Sequence, residues 1–76
     1  MFLYIPCREL LFSPEAGLYW STGIRVLGTA DDELAEIAFV ADISCAELEV
    51  TNLALACTSW QLDPVHLRDV IEDFLS

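Results

Sequence analysis

The sequence predicts an α+β fold in one domain, residues 1–76. It is a three-stranded antiparallel meander covered on one face by a C-terminal αα-hairpin, in the order β-β-β-α-α. Three observations carry this expectation. Residues 2–42 are rich in apolar-polar alternation of period two, broken twice by turn-forming clusters. Residues 44–75 change to apolar positions recurring at steps of three and four, the spacing of one helical face. A three-stranded sheet also needs one face covered to be stable, and the helical half of the chain is what remains to cover it.

The first strand is expected over residues 2–12, an apolar run with aromatic and β-branched members. Pro6 has no N–H to give to a ladder, so this strand belongs at a sheet edge or a bulge. Ser13-Pro14-Glu15-Ala16-Gly17 is a turn by composition. In the second strand, over residues 18–27, Leu18, Trp20, Thr22, Ile24 and Val26 alternate with Tyr19, Ser21, Gly23, Arg25 and Leu27. The first set should face the core. Gly23 inside this strand points to a bulge or to close approach of another backbone. A second turn is expected over residues 28–32 and a third strand over residues 33–42, with Ala35, Ile37, Phe39 and Ala41 inward. Leu34–Ala38 has helical propensity as well, but the alternation and the short preceding turn favour strand. Short turns between neighbours make the meander antiparallel.

The first helix is expected to begin with Ser44 as N-cap and Glu47 three residues later, a capping box, with Ile43 and Leu48 as a hydrophobic staple. Its inner face would be Ala46, Val50, Leu53, Cys57 and Trp60. The second helix is expected to be capped by Asp63, with Pro64 at the first helical position and Leu67, Val70, Ile71 and Phe74 inward. The expected core takes Trp20, Ile24, Ile37 and Phe39 from the strands, Leu53, Cys57 and Trp60 from helix one, and the four apolar residues of helix two.

The chain is 55% hydrophobic, high for a domain so short. Either the core is unusually dense, or apolar surface is covered by a second copy or a partner. A homodimer is therefore one expectation. The formal net charge is −10, with no lysine and three arginines, Arg8, Arg25 and Arg68. Residues 1–30 are neutral overall, so residues 31–76 carry the whole excess. Such a chain cannot build the basic patch that displaces counterions from nucleic acid, and anionic membrane surfaces repel it. The acidity serves solubility or meets a basic protein partner. No stretch approaches the ~20 apolar residues of a membrane span. Met1-Phe2-Leu3-Tyr4-Ile5 lacks the basic start of a signal peptide. Cys7, Cys45 and Cys57 are odd in number and lack paired spacing, which fits reduced thiols in a cytoplasmic protein rather than disulfides or zinc.

Little in the chain suits catalysis, and no cofactor is expected. There is one histidine, no nucleophile elbow, and no cysteine beside a basic group at a helix start. Cys45 comes nearest, at the expected first position of helix one, but Glu47 opposes a lowered thiol pKa. The residues that the helix itself does not need are His66, Asp69, Glu72 and Asp73. Acids near a helix C-terminus are unfavourable by roughly 0.3–1 kcal/mol each, and Asp69 with Asp73 is a like-charge i, i+4 pair. These acids solvate a fraying end, pair with Arg8 or Arg25, or form a surface for a basic protein. An alternative is weak divalent-metal or small-ligand binding by His66, Asp69 and Asp73 along one helical stripe.

Leu62, Pro64, His66-Leu67, Asp69-Val70 and Glu72-Asp73-Phe74-Leu75, with Asp42-Ile43-Ser44, Cys57 and Gly23-Ile24, resemble a family of short uncharacterised bacterial proteins. That family is found mainly in Gram-positive anaerobes and carries a domain of unknown function. The resemblance runs from about Tyr19 onward and is most specific in the closing residues. It implies a small cytoplasmic domain of the same layout and no particular activity. The chain departs from the family in lacking lysine and in Trp60, where an aliphatic residue is expected.

Overall fold

In the computed structural model, which describes all 76 residues, β1 (Phe2–Ser13), β2 (Gly17–Ala30) and β3 (Glu33–Ser44) form one antiparallel sheet in the order β1-β2-β3. Helix α1 (Glu47–Trp60), a 3-10 turn (Pro64–His66) and helix α2 (Leu67–Leu75) follow. The β-β-β-α-α expectation holds. The strands run longer than expected because both turns are tighter. Ser13 Oγ accepts from the Ala16 N–H, and Gly17 takes a φ of 71° that only glycine adopts without strain. Asp31 and Asp32 alone connect β2 to β3, both at positive φ (54° and 66°). Positive φ at both central residues is what a two-residue type I′ hairpin turn requires.

β1 is an edge strand, as Pro6 predicts. Its register with β2 is unbroken, from Phe2 opposite Gly28 to Ser13 opposite Gly17. Gly23 also behaves as predicted. The β2–β3 ladder shifts between Thr22 and Ile24, and a Cβ on Gly23 would collide with the Val40 carbonyl oxygen.

Nine buried residues make the core: Tyr4, Ile24, Val26, Ile43, Val50, Ala54, Cys57, Leu67 and Ile71, with Leu53, Val70 and Phe74 packed against them. Four residues expected there are elsewhere. Phe39 is exposed because the ladder places Ala38 opposite Val26 and Val40 opposite Ile24, so these two supply the core face of β3. Phe39 instead lies opposite Arg25 on the outer face, with the guanidinium 5.6 Å from its ring centroid. Ile37 sits at the second register shift, near Gly28. Alternation alone misplaced Phe39, because bulges reset the phase, whereas Ile37 lies towards Gly28 and is half exposed. Ala35, opposite Gly28 on the core side, and Ala41 are exposed as well.

Trp20 is on the correct face but 49% exposed, and Leu18 beside it is 69% exposed. The cause is length. The 14 residues of α1 rise about 21 Å, whereas the 12 residues of β1 run about 40 Å. The helices cover one end of the sheet, and the other end projects, giving a long dimension of 44 Å. Trp60 is exposed because the inner stripe of α1 steps from Val50 to Ala54 to Cys57 and arrives next at Gln61.

The start of α1 also differs. The N-cap is Ala46, with no side-chain cap; Ser44 Oγ accepts from the Ala46 N–H at 3.0 Å. Glu47 pairs with Arg8 instead of reaching back, and Leu48 is 72% exposed, so neither capping box nor staple forms. Cys45 is exposed and precedes the helix. Asp63 does cap, its Oδ1 accepting from the Val65 N–H at 3.1 Å, and Pro64 opens the following 3-10 turn.

No helix is long and apolar enough to cross a membrane. The α1 end of the molecule is tied to β1 by side chains. Thr58 Oγ1 accepts from the Tyr4 N–H (2.9 Å) and donates to the Tyr4 carbonyl. Tyr4 Oη donates to the Leu62 carbonyl at 2.6 Å.

Candidate interaction surface

His66, Asp69, Glu72 and Asp73 are all exposed. His66 closes the 3-10 turn and precedes α2, one turn earlier in the helix geometry than its expected third position. Because α2 begins at Leu67, Asp69 stands in its first turn, where free N–H groups favour an acid. Glu72 and Asp73 are in the closing turn, where the free carbonyls disfavour one, and no basic residue shares that turn. Ser76 closes the helix, its N–H donating to the Glu72 carbonyl and its hydroxyl to that of Asp73.

The sheet arginines are engaged by other acids. Arg8 Nε lies 3.3 Å from Glu47 Oε2, and its guanidinium is 4.4 Å from the centroid of Trp20. Arg25 Nε lies 2.6 Å from Glu36 Oε1. The acids of α2 therefore face solvent without a cation from the sheet. No three His, Cys, Asp or Glu side chains are grouped to hold a metal ion, so the stripe of His66, Asp69 and Asp73 does not converge.

A second surface is apolar. On the projecting end of the sheet, Leu10 and Phe12 of β1 and Leu18 and Trp20 of β2 share the helix-facing side beyond the reach of the helices. Leu48 and Leu55 of α1 are exposed too, on a stripe shared by helical periodicity with Thr51 and Thr58. Since Thr58 bonds the outer edge of β1, this stripe overhangs that edge. The sequence signal was the mismatch between strand and helix lengths.

Two phenols and one thiol are perturbed. Burial, with Cys57 and Asp63 adding, pushes Tyr4 up to about 12. A hydrogen bond to Asp42 (3.0 Å), then burial, raises Tyr19. Burial raises Cys57, the opposite of what an activated thiol needs. Tyr4 and Cys57 are packed structural groups, and Tyr19 is held by an exposed hydrogen bond.

A family model described as a family of unknown function, DUF6514, matches residues 12–76. No curated protein and no solved structure matches the chain.

Proposed function

The chain belongs to the DUF6514 family, and, that family's function being unknown, we propose from the residues themselves that it is a small non-enzymatic interaction module. Its outer face on α2, with Asp69, Glu72 and Asp73 beside His66, meets a basic protein partner. One observation supports this most. Arg8 and Arg25 are held by Glu47 and Glu36, so the closing-turn acids, which weaken their own helix, have no sheet arginine to offset them. An external cationic surface supplies what the fold does not.

The test compares the wild type with D69N/E72Q/D73N as immobilised bait for basic proteins. At low salt the wild type should retain a basic partner that the triple variant does not, and retention should fall as salt shortens the screening length. Equal retention by both baits would sink the reading. The variant should remain folded and melt slightly higher, since the two acids removed from the last turn each relieve roughly 0.3–1 kcal/mol while the loss of Asp69 from the first turn costs a similar amount once.

A further inference from the structure

We propose that the open edge of β1 pairs with the same edge of a second copy, antiparallel about a two-fold axis at Leu10, and that the start of each copy's α1 packs against Phe12 of the other.

Hydrogen-bonding direction along β1 defines the open edge. The N–H groups of Phe2 and Tyr4 point away from β2, to Gln61 and Thr58. Residues alternate along a strand and the β1–β2 register has no bulge, so the N–H and C=O groups of Arg8, Leu10 and Phe12 point outward too. At Pro6 the edge has no donor, and Pro14 ends it in the turn. The open donors thus lie between two prolines, each four residues from Leu10. That symmetry is what an isologous contact needs. Leu10 stands opposite Leu10 of the second copy, and Arg8 opposite its Phe12. All three outward positions meet outward positions, so each pair exchanges both main-chain hydrogen bonds.

The same register places side chains in complementary positions. Antiparallel partners share a face, so both pairs of helices lie on one side of the six-stranded sheet. α1 runs beside β1 from Gln61 at Phe2 to Glu47 at Arg8. Reversed by the two-fold axis, the second copy's α1 begins beside Phe12. Its overhanging Leu48 then lies next to Phe12, and its Leu55 lies towards the hairpin turn. The start of the partner's helix thus packs at the Phe12 end of the bare surface, while Leu10 meets Leu10 across the axis.

Area and charge agree with this occupant. Leu10, Phe12, Leu18, Trp20, Leu48 and Leu55 are each about half exposed or more. Of these the register brings Leu10, Phe12 and Leu48 together, and the strand edge adds main-chain surface towards the ~800 Å² per partner of a standard interface. The contact strand belongs to the neutral part of the chain, residues 1–30, and Glu47, beside Leu48, is paired with Arg8.

Sedimentation equilibrium of the full chain, from about 1 µM to about 1 mM, tests the proposal alongside hydrogen exchange read by NMR. The mass should rise from 8.5 kDa to twice that value. The amides of Arg8, Leu10 and Phe12 should gain protection with concentration. L10K places like charges opposite each other on the axis, and L10P removes an outward donor that the monomer does not use. Both should stay monomeric where the wild type is dimeric, and L10K guards against a proline that disturbs the strand. L48A should weaken the dimer by roughly a hundredfold, since the two-fold axis removes two leucine contacts, each worth about tenfold. A wild type that stays monomeric throughout overturns the proposal and leaves the edge to a different protein. So does a dimer in which those three amides exchange freely, or one that L10K leaves intact.

Discussion

The side chain of Gln61 binds both main-chain groups of Phe2 as a neighbouring strand would. Its Oε1 accepts from the Phe2 N–H at 2.8 Å and its Nε2 donates to the Phe2 carbonyl at 2.9 Å. The same Nε2 donates to the Thr58 carbonyl, closing α1, while Gln61 itself takes a left-handed φ of 51°. One residue thus ends the helix and seals the start of the edge strand. Q61A should lose these bonds and keep the backbone strain, costing about 1–2 kcal/mol. Q61G should lose the bonds but relieve the strain, and so be less damaging by about 1 kcal/mol. Urea denaturation of the pair measures the difference, and equal midpoints would refute the separation of the two effects.

G23A should be among the most damaging single changes. The added methyl meets main chain, the Val40 carbonyl oxygen and the Ala41 Cα, rather than a flexible side-chain end. Relief needs β3 to move, so a loss of about 3 kcal/mol is expected. That rivals the net stability of a domain this small, on the order of 3–5 kcal/mol. Circular dichroism and urea midpoints will register it; a loss below 1 kcal/mol would mean that the bulge is easily displaced.

The Asp31-Asp32 turn is correct in geometry and poor in chemistry. Two L-residues hold positive φ, and their carboxylates lie beside Glu33. D31N/D32G supplies the residues that type I′ turns prefer. It should raise stability by about 1 kcal/mol and leave the acids of α2 untouched. A thermal melt that does not shift upward would count against this account of the turn.

Tyr4 makes stability fall at high pH. Its folded pKa of about 12 lies above the unfolded value of 10.0, so folding favours the neutral phenol. This contribution is complete below pH 10 and is lost as pH rises towards 12. Y4F should flatten that part of the stability-pH curve. It should also cost about 1 kcal/mol at neutral pH, by leaving the Leu62 carbonyl without its donor. Parallel wild-type and Y4F curves between pH 10 and 12 would assign the alkaline loss to another group.

The candidate residues divide in the same way as the fold. The positions of Asp69, Glu72 and Asp73 on the exposed side of an amphipathic helix were legible, because Leu67, Val70, Ile71 and Phe74 fix which side is inward. The helix start was not: Pro64 opens a 3-10 turn, which moved Asp69 into a first turn that suits it. That Arg8 and Arg25 answer Glu47 and Glu36 could not be read from spacing, since these pairs join segments far apart in sequence.

By itself the sequence determined the element order, the edge position of β1, the tight approach at Gly23, the cap at Asp63 and the inner face of α2. Each follows from a local constraint: a missing donor, a missing Cβ, a side-chain acceptor or a helical period. Only the tertiary structure decided which face of β3 is inward, because two bulges reset an alternation that looks continuous in sequence. It also decided that the chain's own helices leave Trp20 and Leu18 bare. Strands rise about 3.3 Å per residue and helices 1.5 Å, so helices of this length cover only part of the sheet that the first thirty residues build.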